Sequence, residues 1–368
     1  MSLRLHGAPR FIRDYADPYV ELVALLYEAS NIEHALLVQY LAAAFSLKPA
    51  YLAIAGSGMT QDAFSLFGVA IQEMQHLHTV NRLLVTLGTT PRLDRQDFPI
   101  ETAIYPFPLE IRPLSDVSLA RYAYAEAPAA VFDPSAPPSD QSFATRVLAI
   151  LGHAHVNHIG SLYTTILARL AEVISAPPAG VGDLSEFPEL LEGIKEQGEG
   201  AHYQFFRSLL EGTAPGLGGV DTWKDPSSSA YPSLSLRHGL TAFDGAPKTI
   251  PDASARSLAW LSDLHYWLTL MLLDLSYRFG NDDYFGVART HMIGPLFHLG
   301  SAVAHHGYCL PFDQPTLPLP WSQTEQNCRM GVSKLARETS AYAQQIATLL
   351  PTGYTSAAVD STLDLLKP

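Results

Sequence analysis

Apolar residues recur at helical spacing through most of the chain. In four long stretches they return every three or four positions, as on the buried face of an amphipathic helix. In chain order these stretches are residues 18–45, 61–87, 141–174 and 187–211. Proline or glycine follows several of them, as at Pro49 and Gly88. The alternating pattern of strands is almost absent, so the sequence predicts an all-α protein.

The second half of the chain begins with a long break in this pattern. Residues 212–250 are rich in Gly, Pro and Ser, and a loop of this length is usually functional or a linker. Helical periodicity returns in residues 253–279, 284–306 and 323–349, the first two turning at Gly280. The short segment 117–125 fits either a helix or a strand. We predict a four-helix bundle over residues 18–211, the loop 212–250, and C-terminal helices over 251–351 that pack on the bundle.

Composition and charge exclude several classes of protein. Of the 368 residues, 47% are hydrophobic and 16% are charged, which is enough for a sizeable core. A net charge of −13 without basic clusters argues against nucleic acid or an anionic membrane as partner. We find neither a secretory signal nor an apolar stretch long enough to span a bilayer. Cys309 and Cys328 are expected in packing rather than in chemistry, and a cytoplasmic location is expected.

Acidic and imidazole side chains interrupt three of the apolar stretches. Glu73 and His76 stand three residues apart, so they share one helix face with apolar residues. A buried carboxylate needs a partner or a metal. Glu199 and His202 repeat the Glu-x-x-His spacing, and Glu33 lies on the apolar stripe of the first helix. Carboxylate with imidazole suits iron, or alternatively manganese, better than calcium or structural zinc. The pattern predicts one or two such ions per chain.

Two further residues are candidates at this site. Tyr40 lies two helical turns after Glu33, where its phenol could hydrogen-bond a metal-bound carboxylate. The predicted helix 141–174 contains His153, His155 and His158 but no glutamate apart from Glu172 near its end, so His158 could replace a carboxylate ligand at its centre. The alternatives are a dinuclear site with His158, an asymmetric site with one loosely held ion, and a mononuclear centre. A hydrogen-bonded or solvated cluster of the three histidines is an equal alternative to His158 as a ligand.

Several segments resemble a known family. IEHALLVQYLAA, QEMQHLHTVNRLLVTLGTTP, HIGSLYTTI, EQGEGAHYQF and HMIGPLFHLGSAVAHHGYCLPFD are similar, in order and spacing, to the ferritin-like domain of iminophenyl-pyruvate dimer synthase type proteins of the violacein and rebeccamycin pathways. The resemblance spans roughly residues 18–312. It implies a ferritin-like four-helix bundle whose metal ligands are Glu33, Glu73, His76, Glu199 and His202. Ser161 stands where the family has a glutamate.

These observations predict an O2-dependent non-haem iron oxidoreductase of specialised metabolism. Its expected partners are O2 and a small, amino-acid-derived substrate lying near Tyr40 and His158, with residues 212–250 as a lid. A homodimer is left open. The chain is shorter than the full dimer synthases, so their reaction is not carried over. The alternatives are a non-catalytic protein that stores iron or senses oxygen, and a metal-free structural bundle.

Overall fold

Helices carry the regular structure of the chain. The computed structural model describes residues 12, 15–56, 62, 64–95, 107–152 and 158–367. Within these ranges there is no strand, only three isolated bridges. The prediction of an all-α protein is confirmed.

The first helix is the central rod of the bundle. Helix α1 spans Pro18–Phe45, the range that the periodicity predicted. It begins where Asp17 accepts a hydrogen bond from the backbone N–H of Tyr19, and proline occupies its first position, where no N–H is needed. From Leu25 onward it is buried on nearly every side, because other helices surround it.

The helices around α1 form the bundle. In chain order they are α2 Leu52–Ala55, α3 Leu66–Thr86, α4 Asp116–Glu126, α5 Pro138–Leu151, α6 Ile159–Ser175, α7 Phe187–Gln197 and α8 Tyr203–Glu211. Helix α1 packs against α3 and α6, α4 packs against α8, and α6 packs against α7. A π-helical turn, Gly198–His202, joins α7 to α8 without a loop. The segment that fitted helix or strand is the helix α4, which a capping box at Ser115 initiates.

The prediction of one helix over residues 141–174 is wrong. Helix α5 ends at Gly152, whose φ of +70° is left-handed and favours glycine. Helix α6 begins only after His158, whose backbone is extended. A stretch that reads as one apolar pattern is therefore two helices with different neighbours.

The C-terminal helices lie against α1 and α3. They are α9 Ala253–Phe279, α10 Asp282–Ile293, α11 Pro295–His305, α12 Glu325–Gln345 and α13 Ala357–Leu365. The expected helix 284–306 is divided at Gly294, because Pro295 lacks the N–H that would continue it. Helix α13 was not predicted. Helix α9 packs against α3, and α11 packs against α1.

No helix in the described part of the chain combines the length and the hydrophobicity that crossing a bilayer requires.

Candidate metal centre

Five buried ligand-type side chains from four segments meet inside the bundle. Glu33 comes from α1, Glu73 and His76 from α3, Glu126 from the end of α4, and His202 from the π-helical turn. None is more than 4% exposed. Their donor atoms form two groups, each within 4.8 Å: Glu33, Glu73 and His76, and Glu73, Glu126 and His202. Glu73 belongs to both groups.

The two carboxylate oxygens of Glu73 serve different groups. Oε2 of Glu73 lies 3.0 Å from Nδ1 of His76, which is also 3.4 Å from Oε2 of Glu33. Oε1 of Glu73 lies 3.0 Å from Nδ1 of His202, which is 3.7 Å from Oε2 of Glu126. We call the first group the His76 half and the second the His202 half. Each half has one terminal carboxylate, one imidazole and one oxygen of Glu73.

A tyrosine holds each terminal carboxylate. Tyr163 donates a hydrogen bond of 2.5 Å to Oε1 of Glu33, and Tyr40 donates one of 2.6 Å to Oε1 of Glu126. Both bonds leave the second oxygen, Oε2, facing the imidazole of its half. The sequence predicted that the Tyr40 phenol hydrogen-bonds a carboxylate of the site. In the structure that carboxylate belongs to Glu126.

Burial and the charges of neighbouring side chains raise the pKa of three groups in the cluster. Burial and the neighbouring charge of Glu73 raise the pKa of Glu33 to about 8. Burial alone would lower the pKa of His202, but the carboxylates of Glu126 and Glu73 beside it raise it to about 9. Against the same effect of burial, Glu73 and Glu33 raise the pKa of His76. The pKa of Glu73 is lowered although burial opposes it, because His76 lies beside it. The cluster thus holds dissociable protons where cations would fit.

The metal-free protein is expected to lose stability as the pH rises from 6.5 to about 9. In this window the folded protein keeps a proton on His202 that the unfolded chain, with the ordinary pKa of 6.5, releases. Glu33 acts in the same direction between pH 4.5 and about 8. Stability falls with pH wherever the folded state binds more protons. Urea midpoints of chelator-treated protein across this range measure the effect, and a constant midpoint would contradict it. The metal-loaded protein, in which ions replace these protons, is the control.

The residues present fit a metal. Oε2 of Glu33, Oε1 of Glu73 and Nδ1 of His202 are buried without a hydrogen-bond partner, the contact between the last two lacking hydrogen-bond geometry. Buried polar atoms are nearly always paired, and these three all face the interior of the cluster. Three carboxylates with two imidazoles form a donor set that suits iron or manganese. Four-helix bundles bind pairs of such ions with glutamate and histidine side chains from facing helices.

The structure brings together four of the residues that the sequence singled out as ligands, Glu33, Glu73, His76 and His202. It does not bring Glu199 to them. Glu199 is half-buried, and its carboxylate packs on Gly160 so closely that a Cβ there would lie 1.9 Å from Oε1.

His158, the predicted substitute ligand, belongs to neither half. Its Nδ1 donates a hydrogen bond of 2.8 Å to the backbone oxygen of Tyr124, and its ring stacks on Phe132. The reading of His158 as a hydrogen-bonded histidine matches this geometry, and the reading as a carboxylate substitute does not. His153 and His155 lie outside the described residues.

Glu126 is the candidate ligand that sequence reasoning missed. A carboxylate was expected from the predicted helix 141–174, whereas α4 supplies it. A signal was present: Glu126 is the only charged residue of YAYAEAPAAVF, residues 122–132. A lone glutamate at the end of an apolar helical segment was a candidate for burial.

A family model covers part of this bundle. Residues 26–177, which include most of α1 and all of α3 and α4, match a family model described as Ferritin-like. The fold of this part of the chain is ferritin-like. The chain also resembles the crystal structure of a ferritin like protein from Caulobacter vibrioides, with 16% identity and a TM-score of 0.47, over 81% of this chain and 98% of that one. A search of curated proteins found no match. Glu126 lies within the matched residues, on α4 rather than on the predicted helix 141–174 from which the carboxylate was expected.

Proposed function

We propose that this ferritin-like protein is a dinuclear non-haem iron oxidoreductase that uses O2 on a small substrate. The observation that carries the proposal is the sharing of Glu73. Its two oxygens face two halves of equal composition, which is the arrangement of a carboxylate that bridges two cations. Ferrous ions held there would supply electrons to O2.

The charge of the site supports two divalent ions and favours an anionic substrate. Three carboxylates bring three negative charges, and both imidazoles are neutral when bound to metal. Two divalent cations would leave one positive charge in a buried site, where an uncompensated charge is costly. The carboxylate of an amino-acid-derived substrate would neutralise it. This substrate class also accords with the resemblance to iminophenyl-pyruvate dimer synthase type proteins, which we retain as the finer family assignment.

The chain's own residues prepare the site in three ways. Tyr40 and Tyr163 orient the terminal carboxylates. The apolar residues around α1 and α3 exclude water from the cluster. Glu33, whose pKa is raised, would release its proton to hold a cation beside Oε2. We propose a cytoplasmic location because the buried thiols of Cys309 and Cys328 are free, as is usual in a reducing compartment.

Metal uptake under anaerobic conditions tests the proposal. Chelator-treated protein is titrated with Fe(II), and bound iron per chain is measured before and after admission of air. We expect two ions per chain and O2 consumption that stops once these ions are oxidised, unless substrate is present. Absence of uptake would indicate a structural bundle, and one ion would indicate a mononuclear centre. Continued oxidation of many ions per chain would indicate iron storage.

A further inference from the structure

A crossed pair of glutamines holds the two imidazoles. Nε2 of His76 lies 2.8 Å from Oε1 of Gln197, and Nε2 of His202 lies 2.8 Å from Oε1 of Gln72. Helix α3 carries one imidazole and the acceptor for the other. The segment from α7 into the π-helical turn does the same in return.

These contacts fix which ring nitrogen is free. An amide oxygen has no hydrogen and can only accept, so Nε2 of each ring carries the hydrogen. In a neutral ring the lone pair is then on Nδ1, and the Nδ1 atoms of His76 and His202 both face Glu73. Partners of this kind set the tautomer and the orientation of metal-bound histidines.

The two Gln–His pairs differ by one residue in spacing. Gln72 and His76 are four apart, which places them on one face of the α-helix α3. Gln197 and His202 are five apart, which in an α-helix would separate them. The π-helical turn between them has bonds from residue i to i+5, so five residues complete its turn and the pair shares a face again.

The sequence shows which residue is the extra one. Helix α3 reads Gln-Glu-x-x-His, and the second segment reads Gln-Gly-Glu-x-x-His, with Gly198 between Gln197 and Glu199. Gly198 also has no room for a side chain, since a Cβ there would lie 2.8 Å from Oε2 of Glu126. Because of the extra residue, Glu199 does not take the position that Glu73 has on α3. The carboxylate of Glu199 packs on Gly160 instead.

We propose that Gln72 and Gln197 are positioning residues that fix His202 and His76 as Nδ1 ligands. We further infer that the π-helical turn around the extra residue Gly198 preserves this crossed pairing while it excludes Glu199 from the cluster. The inference rests on the proposed metal centre and concerns how that centre is built.

Substitution of the glutamines by leucine tests the pairing. Metal-free Gln197→Leu and Gln72→Leu are titrated with Co(II), next to wild type and the control Gln75→Leu, a half-buried glutamine of α3 outside the pairing. In each of the first two variants we expect one Co(II) dissociation constant to rise about 10- to 100-fold. Gln75→Leu should bind as wild type does. Gln197→Glu keeps an acceptor oxygen and should retain most of the affinity. Its binding shows that a change at residue 197 still allows the protein to fold.

Nitrogen-15 NMR of the Zn(II)-loaded protein gives a readout independent of affinity. We expect both histidines to bind Zn(II) through Nδ1 and to show exchange-protected Nε2–H signals, and Gln197→Leu to lose the protection at His76. Wild-type affinity in both leucine variants, or zinc bound through Nε2, would overturn the proposal. A wild-type protein that takes up no Co(II) would instead overturn the metal centre itself.

Deletion of Gly198 tests the role of the π-helical turn. Because the turn contains one extra residue, its removal should leave an α-helix with the flanking helices in register. Gln197 and His202 would then be four apart, and Glu199 would take the position equivalent to Glu73. We expect two Co(II) ions per chain to remain, with a lower dissociation constant for one of them. Loss of one ion, or unchanged binding, would overturn this part of the inference.

Discussion

Replacement of Glu73 by alanine is expected to abolish binding of both metal ions. Glu73 is the only carboxylate that belongs to both halves of the cluster, and each of its oxygens lies 3.0 Å from a different imidazole. Without it each half retains one carboxylate and one imidazole, too few to hold a cation buried away from water. Metal analysis after anaerobic loading with Fe(II), together with circular dichroism to verify folding, measures the effect.

The matched control is Glu199→Ala, which removes the same side chain from the second Glu-x-x-His motif. Because the carboxylate of Glu199 lies on Gly160 rather than in the cluster, this variant should retain two ions. Retention of both ions by Glu73→Ala would contradict the bridging assignment. Loss of an ion in Glu199→Ala would show that this carboxylate joins the site when metal binds.

Replacement of Glu126 by alanine is expected to reduce the bound metal from two ions to one. Glu126 is the terminal carboxylate of the His202 half, and its other oxygen accepts the hydrogen bond of Tyr40. The remaining ion should occupy the His76 half, whose terminal carboxylate, Glu33, is untouched. Calorimetric titration with Co(II) should show a single binding event with a stoichiometry of one.

His158→Ala is the informative comparison for this variant. The sequence predicted His158, in the predicted helix 141–174, as a ligand. In the structure Glu126 of α4 lies in the cluster instead. If the structure is right, His158→Ala keeps two ions, even where loss of the hydrogen bond to Tyr124 lowers the unfolding temperature. Two ions in Glu126→Ala and one in His158→Ala would reverse the assignment.

The sequence was sufficient for long helices with strong local signals. Helix α1 has an N-terminal cap, an early proline and an unbroken apolar pattern, so the bounds Pro18–Phe45 could be predicted. The same holds for α9, Ala253–Phe279, which starts at the cap Asp252 and ends at Gly280. Periodicity alone did not reveal the break after Gly152, because apolar residues continue on both sides of it.

The pairing of glutamate and histidine in a Glu-x-x-His motif was predictable only where the helix was a regular α-helix. Glu73 and His76 lie on an ordinary α-helix, so their spacing of three correctly indicates one face. The same spacing in Glu199 and His202 implies a shared face only if the helix is α, and there it is π. Glu126 lies at the end of an 11-residue helix that periodicity could not distinguish from a strand. Contacts with other helices, which a sequence pattern does not show, determine the geometry at Glu199 and at Glu126.

The covering of α1 and α3 by the C-terminal helices also bears on assembly. Helix α9 lies along α3, and α11 lies along α1, with Phe297 in contact with the rings of Phe45 and Phe67. These outer faces of the bundle are occupied by the same polypeptide, so no second subunit can dock on them. A shell of many bundles could therefore not be joined through those two faces.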